Sequence, residues 1–172
     1  MISKKMAKAI NKQINAELYS SYLYFAMSSQ AAVIGLKGLA NWMYVQTKEE
    51  MTHALKFCNY LSDQGEQALM EAIGQPPTSF KSPLHMFEET LKHEKIVTSR
   101  INELANLAAE EKDHATAALL QWYITEQVEE EKNATEIIAL LKMAGDNKGA
   151  LIMLDKDLAA RTFVPPPGMT TL

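Results

Sequence analysis

One set of polar residues occurs twice in this 172-residue chain, at a constant separation. Glu17 and Glu94, for example, are 77 positions apart. The first copy consists of Glu17, Glu49, Glu50 and His53, and the second of Glu94, Glu126, Gln127 and Glu130. A chain that repeats its carboxylates at one interval is expected to form two similar halves around one site. The repeat therefore favours a fold with internal two-fold symmetry and a polar centre.

Four long segments have the apolar spacing of amphipathic α-helices. They are predicted over residues 3–32, 36–64, 82 to the turn at 111–113, and 113–143, with a short fifth helix over 148–160. Ser3 and Ser82 are suited to cap the first and third helices, and Pro83 suits a first helical position. The apolar stripe of the first helix is predicted to contain Met6, Ile10, Ile14, Leu18 and Phe25.

The lengths of the connections predict how these helices are arranged. The turns near 33–35 and 111–113 are short, so each flanking pair of helices is expected to form an antiparallel hairpin. The link over 65–82 contains roughly seventeen residues, which can extend to ~55 Å, whereas a helix of about thirty residues is ~45 Å long. The link can therefore cross the whole length of the bundle.

The predicted fold class is all-α: a four-helix bundle of two antiparallel hairpins joined by a long crossover, plus a short fifth C-terminal helix. Residues 1–161 are expected to form this domain. Residues 162–172 contain Pro165, Pro166 and Pro167 and are predicted to be an extended Pro-rich tail.

Composition excludes several classes of partner. The formal charge is −4 and no long basic run is present, which argues against nucleic acid binding. No segment approaches the ~18 uninterrupted apolar residues of a membrane span, and the N-terminus lacks the apolar core of a signal peptide. Cys58 is the single cysteine, so no internal disulfide is possible. We therefore expect a cytoplasmic protein.

The predicted hairpins bring the repeated polar residues to one level. Glu17 and Glu50 are equidistant from the first turn, and Glu94 and Gln127 from the second. Each of the four lies seven residues from apolar stripe positions, so each is expected to point inward. Buried carboxylates at one level are costly unless their charge is compensated. Since Glu130 adds another carboxylate, a multivalent cation is the simplest compensation.

The ligand types narrow the choice of metal. Carboxylates with one imidazole suit iron or manganese, and suit zinc less well because no thiolate takes part. Glu50 and His53 are three residues apart on a helix and can bind one metal ion together. Glu50 lies between two half-sites and is the natural bridging ligand. Iron held by flexible carboxylates with open positions can react with dioxygen.

Four sequence segments resemble those of bacterial non-haem ferritins. They are Asn-Ala-Glu-Leu-Tyr-Ser-Ser-Tyr-Leu-Tyr at 15–24, Glu-Glu-Met-Thr-His at 49–53, Lys-His-Glu at 92–94, and Leu-Gln-Trp-Tyr-Ile-Thr-Glu-Gln-Val-Glu-Glu-Glu at 120–131. The resemblance extends from Ser3 to about Arg161. It implies a ferroxidase centre with two irons. Its first iron site would be Glu17, Glu50 and His53, and its second Glu50, Glu94 and Glu130.

The resemblance assigns further residues around the pair. A third iron site beside it would consist of Glu49, Glu126, Glu129 and Glu130. The remaining matches are an amide near the second iron, a tyrosine beside the centre and a tryptophan close to it: Gln127, Tyr24 and Trp122. Gln127 and Tyr24 are included with the iron ligands among the expected catalytic residues.

Proteins of this kind assemble twenty-four copies into a hollow shell. They oxidise Fe(II) with dioxygen or peroxide and store the ferric mineral inside. The resemblance thus implies a homo-oligomer whose partners are iron and O2 or H2O2. The fifth helix resembles the one that surrounds the four-fold axes of such shells, through Leu151, Ile152, Leu154 and Leu158.

Four other classes of protein fit these residues less well. In bacterioferritins the second half also carries Glu-x-x-His and a methionine binds haem. Here the second motif is Gln127 and Glu130, so haem is not expected, although Met51 lies at the haem-ligand position. Mini-ferritins need a histidine in the first helix, which has none. A rubrerythrin-like peroxidase would need four cysteines for its second domain. A metal-free structural bundle would leave the inward carboxylates uncompensated.

Overall fold

The computed structural model describes residues 2–166, and within that range all regular secondary structure is helical. The helices are α1 (Lys4–Val33), α2 (Lys37–Asp63), α3 (Pro83–Glu110), α4 (His114–Ala144) and α5 (Lys148–Leu158). The predicted bounds agree with these to within two residues. The all-α fold class with four long helices and a short fifth is therefore confirmed. No helix in the described range is long and apolar enough to cross a membrane.

Two of the helix starts follow directly from local sequence. The hydroxyl of Ser3 accepts a hydrogen bond from the Met6 amide at 2.9 Å, and that of Ser82 accepts from the His85 amide at 3.0 Å. Each satisfies one of the free N–H groups that every helix N-terminus exposes. Pro83 occupies the first turn of α3, where its missing N–H costs nothing.

The start of α2 is stabilised from a distance. Its N-cap residue, Leu36, makes no side-chain capping bond. The carboxylate of Asp155 in α5 accepts hydrogen bonds from the amides of Gly38 at 3.1 Å and Leu39 at 2.8 Å. A carboxylate at a helix N-terminus is also favoured by the helix dipole. Helix α5 therefore caps α2.

The contacts between helices establish the predicted topology. In the first hairpin, Ser21 donates to the carbonyl of Thr47 and Ser28 to that of Ala40, so α1 and α2 are antiparallel. The crossover follows α1 in the same direction. Its residue Leu69 donates to the side chain of Asn11, near the start of α1. Further along, the amide of Phe80 donates to the side chain of Gln30, near the end of α1. The link thus traverses the bundle, and α2 and α3 are parallel.

The core consists of two apolar clusters with a polar layer between them. One cluster contains Met27, Met43 and Phe87, and the other contains Ile14 and Phe57, among others. All five of these side chains are completely buried. The polar layer lies between the clusters and receives side chains from all four long helices.

One predicted core position is wrong. Phe25 is 51% exposed and packs against Tyr44 on the outside of the first hairpin, with ring centroids 6.4 Å apart. In a bundle of this kind, core positions recur at an average spacing of 3.5 residues. The stripe that passes through Ile10 and Glu17 therefore reaches Tyr24, which is completely buried, and leaves Phe25 one position outside.

Helix α5 packs across one end of the bundle. Leu154 and Leu158 are buried in the cluster that contains Leu39 and Phe87, whereas Ile152 is 56% exposed. After α5, residues 161–166 form neither helix nor strand. Of the predicted Pro-rich tail, residues 167–172 lie outside the described range.

Candidate metal centre

Four carboxylates meet in the polar layer, one from each long helix. Glu17, Glu50 and Glu94 are 1% exposed and Glu130 is 6% exposed. Glu17, Glu50, Glu94 and Gln127 are buried as the apolar stripes predicted, and Glu130, which was expected nearby, is buried with them. Isolated buried charges of one sign are strongly unfavourable. The arrangement therefore requires protons or a cation to balance it.

A cluster of ligand atoms suited to a metal ion forms between α1 and α2. One oxygen each of Glu17 and Glu50 and one ring nitrogen of His53 all lie within 4.8 Å of one another. The Nδ1 atom of His53 is 3.5 Å from Oε2 of Glu50. Gln13 donates to Oε1 of Glu17 at 2.8 Å, but Oε2 of Glu17 is buried without any hydrogen-bond partner among the residues described. This oxygen therefore needs either a proton shared with the neighbouring Glu50 carboxyl group or a bound metal ion as its partner.

Glu94, which lies on α3, accepts hydrogen bonds from side chains of two other helices, α1 and α4. The hydroxyl of Tyr24 donates to Oε1 of Glu94, and Nε2 of Gln127 donates to Oε2 at 3.2 Å. The same Gln127 nitrogen lies 3.3 Å from Oγ1 of Thr98. Gln127 and Tyr24 thus orient a carboxylate that the sequence repeat predicted at this level.

The fourth carboxylate, that of Glu130, accepts a hydrogen bond from Gln46, which the sequence did not identify as a site residue. Nε2 of Gln46 donates to Oε1 of Glu50 at 3.2 Å and to Oε2 of Glu130 at 2.8 Å. Gln46 is completely buried and bridges α2 and α4. The available signal was its position four residues before Glu50, which places it on the same helix face. Gln13 has the same relation to Glu17.

The outer carboxylates of the predicted third site differ in their surroundings. The Glu49 side chain is 22% exposed and pairs with the guanidinium of Arg161. The pKa of Glu49 is raised above its usual value, chiefly because the carboxyl group is buried. The positive charge of Arg161 lowers this pKa, and the negative charges of Glu126 and Glu129 raise it. Glu126 is half-buried and Glu129 is exposed. The three side chains therefore form an acidic path from the buried layer to the surface.

Aromatic side chains surround the imidazole. The ring of His53 meets Trp122 edge-on with centroids 5.3 Å apart. The hydroxyl of Tyr123 donates to the backbone carbonyl of His53 at 2.7 Å. Tyr123 also stacks on Phe57 with centroids 4.0 Å apart. This packing limits the motion of His53 and closes that side of the layer to water.

Burial determines the protonation of the centre. Together with the charges of neighbouring carboxylates, it raises the pKa of Glu17, Glu50, Glu94 and Glu130, each to about 8. Near neutral pH the metal-free centre therefore retains protons on its carboxyl groups. A divalent cation that enters would replace them, because metal binding requires deprotonated ligands.

We expect the metal-free protein to lose stability as pH rises from 6.5 to 8.5. The four carboxyl groups have raised pKa values in the folded state, so the folded protein binds more protons than the unfolded chain, and ∂ΔG/∂pH is negative. Each retained proton contributes a slope of about 1.4 kcal/mol per pH unit. Burial lowers the pKa of His93 to about 4, and the opposing slope that this causes fades as the unfolded-state histidine loses its proton above its ordinary pKa of about 6.5.

Thermal melting of chelator-treated protein across this pH range measures the effect. Glu94→Gln removes one of the four groups and should flatten the slope. A melting temperature that is constant, or that rises toward pH 8.5, would contradict the assignment of retained protons.

A four-helix bundle whose helices place carboxylates and an imidazole at one buried level is the architecture of carboxylate-bridged di-metal proteins. Within that class, the family is defined by comparison with known sequences. The chain belongs to the ferritin family, whose ferritin-like domain model matches residues 7–144. This confirms the resemblance inferred from the sequence motifs.

Curated relatives match along almost their whole length. The chain is 40% identical over 163 residues to a bacterial non-heme ferritin of Staphylococcus saprophyticus, covering 95% of this chain and 98% of the relative. It is 41% identical over 158 residues to a probable bacterial non-heme ferritin-like protein of Haemophilus influenzae, covering 92% and 96% respectively.

Solved structures of an archaeal ferritin have the same fold. An open-pore ferritin from Archaeoglobus fulgidus superposes with a TM-score of 0.92 at 49% identity, covering 94% of this chain and 100% of that one. A closed form of the same ferritin, engineered by mutagenesis, gives a TM-score of 0.94 at 48% identity, covering 95% and 100%.

Proposed function

We propose that this protein is an iron-storage ferritin that oxidises Fe(II) at a di-iron ferroxidase centre within each subunit. The observation that carries the proposal is the unpartnered buried oxygen of Glu17, which lies in a ligand cluster with Glu50 and His53. Family membership supports storage as the role of the protein. The oxidant would be O2 or H2O2, and the ferric product would be stored inside a hollow shell.

The two iron ions are substrates of this centre. Glu17, Glu50 and His53 would bind the first, and Glu50, Glu94 and Glu130 the second. Glu50 would contact both, since it lies beside His53 and shares the Gln46 amide with Glu130. Bound Fe(II) would supply the electrons, one from each ion.

The surrounding residues have separate tasks in this proposal. The side-chain amides of Gln13, Gln46 and Gln127 orient the carboxylates before iron arrives. The two apolar clusters exclude water from the layer between them. The hydroxyl of Tyr24 donates a hydrogen bond to Glu94 and keeps its own proton at the edge of the centre. Because the carboxyl groups retain protons in the metal-free state, iron binding would release them.

We extend the proposal to a third iron at Glu49, Glu126, Glu129 and Glu130. Their acidic path to the surface suits a cation in transit between the pair and bulk solvent. Haem is not part of the proposal. Met51, the residue at the haem-ligand position, is half-buried on α2, and the curated relatives described above are named non-heme ferritins.

The shell is proposed to contain twenty-four copies in the cytoplasm. The solved relatives are described as open-pore and closed forms of a ferritin, which supports a hollow homo-oligomer here as well. No nucleic acid or membrane partner is included in the proposal.

Particle size and iron capacity test the storage function. Twenty-four copies of a 19.2 kDa chain would form a particle of about 460 kDa. Sedimentation of the purified protein should give a mass near this value. Aerobic Fe(II) loading should leave many more than three irons per chain within the same particle.

A matched control is the same iron addition to buffer without protein, where ferric iron should precipitate. A monomer or dimer of ~20–40 kDa that retains only two irons per chain would overturn storage. That result would favour a soluble redox enzyme with the same centre.

A further inference from the structure

The segment after α5 brings a positive charge to the outer side of the metal centre. Nη1 of Arg161 donates to Oε1 of Gln46 at 2.7 Å, and Nη2 pairs with Oε2 of Glu49. The guanidinium also lies over the ring of Trp42, 4.1 Å from its centroid. Its side chain is 19% exposed. Three different contacts therefore fix the orientation of this group.

The backbone of the segment is anchored as well. Nδ2 of Asn41 in α2 donates to the carbonyl of Arg161 at 2.9 Å and lies 3.3 Å from that of Ala159. Because both the main chain and the side chain are held, the position of Arg161 belongs to the fold. It is not the chance placement of a long surface side chain.

Arg161 is connected to the inner carboxylates through one amide. The oxygen of the Gln46 amide accepts from Arg161, so the amide nitrogen must face the opposite way. That nitrogen donates to Glu50 and Glu130. Both ends of the Gln46 amide are therefore engaged, the oxygen by Arg161 and the nitrogen by the two inner carboxylates, which favour the same orientation by themselves.

The same arginine competes with any metal ion at Glu49. Oε2 of Glu49 already accepts a hydrogen bond from the positively charged guanidinium. A cation bound by that oxygen would be in contact with another positive charge. Glu49 is also the outer carboxylate that lies next in sequence to Glu50. Occupation by Arg161 and occupation by metal therefore exclude each other at this oxygen.

We infer that Arg161 is an internal cation that occupies the Glu49 edge of the centre and has to withdraw before a metal ion binds there. The inference rests on the proposed function, because it concerns the outer iron of that centre. It makes the C-terminal segment a determinant of metal affinity at the outer position. The inner pair would be filled first, while Arg161 still holds Gln46 in place.

Anaerobic calorimetric titration of the metal-free, full-length protein with Zn(II) tests this assignment. Zn(II) is redox-inert, so the measurement reports binding alone. The outer binding class is the Zn(II) bound at Glu49. In Arg161→Gln its dissociation constant should fall about tenfold, because the ion no longer competes with one charge-assisted hydrogen bond. The inner classes should change less than threefold. Arg161→Lys retains the charge but not the forked contacts, and its outer affinity should lie between that of the wild type and that of Arg161→Gln.

Three further variants sharpen the result. Glu49→Gln in the Arg161→Gln background should abolish the gain in outer affinity. Arg100→Gln removes a positive charge from α3 instead and should leave the outer class unchanged. Asn41→Ala loosens the segment without altering the guanidinium and should give a smaller gain, which provides a second test if Arg161→Gln folds poorly.

An outer class that is unchanged or weakened in Arg161→Gln, beside an intact inner class, overturns the inference alone. Absence of the inner class from the wild type would instead overturn the proposed function, and the inference with it.

Discussion

Replacing Glu50 by glutamine is expected to slow Fe(II) oxidation at least about a hundredfold without destabilising the metal-free protein. Loss of a group that merely orients a metal ligand costs about 10- to 100-fold in activity or affinity. Glu50 is proposed to contact both irons, so its loss should reach or exceed the upper end of that range. An amide is nearly isosteric with the carboxylate it replaces, and it can keep the contact with Gln46.

Stability should change in the opposite direction. Burial, followed by the charge of Glu130, raises the pKa of Glu50 to about 8. Removing the ionisable group relieves this repulsion, so the metal-free variant should melt at the same temperature as the wild type or higher at pH 8. Opposite changes in rate and stability would distinguish loss of a ligand from loss of the fold.

Initial rates at low iron loading, followed by absorbance and oxygen consumption, measure the first effect. Glu17→Ala and His53→Ala should each slow the reaction at least about tenfold. Glu103→Gln is the matched control, because Glu103 is exposed on α3. Wild-type rates in Glu50→Gln and His53→Ala would refute the assigned centre.

Replacing Gly38 by alanine is expected to displace α5 from the end of the bundle. A Cβ atom at Gly38 would lie 1.6 Å from the carbonyl oxygen of Asp155 and 3.0 Å from the amide nitrogen of Ala159. Both are backbone atoms, so a rotamer change cannot relieve the clash. Helix α5 would have to move, and the two capping bonds from Asp155 to α2 would break.

The free energy of folding lost through the clash should exceed the free energy gained from the higher helix propensity of alanine. Overpacking costs about 1–3 kcal/mol and loss of a helix cap about 1 kcal/mol, against a gain of about 1 kcal/mol from helix propensity. A net loss of about 2 kcal/mol lowers the melting temperature of a chain of this size by roughly 4–8 °C. The segment that carries Arg161 follows α5 directly and should become accessible to protease.

Thermal melting, limited proteolysis after residue 158 and particle size together measure the displacement. Gly74→Ala is the control, since its Cβ would meet only the Tyr19 ring, at 4.0 Å, and Gly74 lies in the crossover. A Gly38→Ala protein with wild-type melting temperature and protease resistance would show that α5 is not held as described.

Most of the fold is predictable because amphipathic helices have apolar residues at a regular spacing in the sequence. Apolar spacing, the caps Ser3 and Ser82, and connection lengths together identify five helices and their topology. The position of the first turn predicts that Glu17 and Glu50 lie at one level, and the 77-residue repeat predicts a matching pair, Glu94 and Gln127. In an antiparallel hairpin, two residues equally far from the turn lie at the same height along the bundle. Ligands that face each other can therefore be identified by counting residues from the turn.

The remaining features depend on contacts between residues far apart in sequence, which produce no periodic pattern. The predicted position of Phe25 is wrong because the predicted stripe advances in steps of four residues from Met6 to Leu18. Each such step turns about 40° beyond a full circle of the helix, so the stripe leaves the core face before it reaches Phe25. Arg161 lies 112 residues from Glu49 in sequence, and Asp155 lies 117 from Gly38, so no local pattern connects them. Only the packing of α5 across the bundle brings these groups together. The sequence by itself thus determined the inner carboxylates and their common level, while the tertiary structure decided which charge lies at their outer edge.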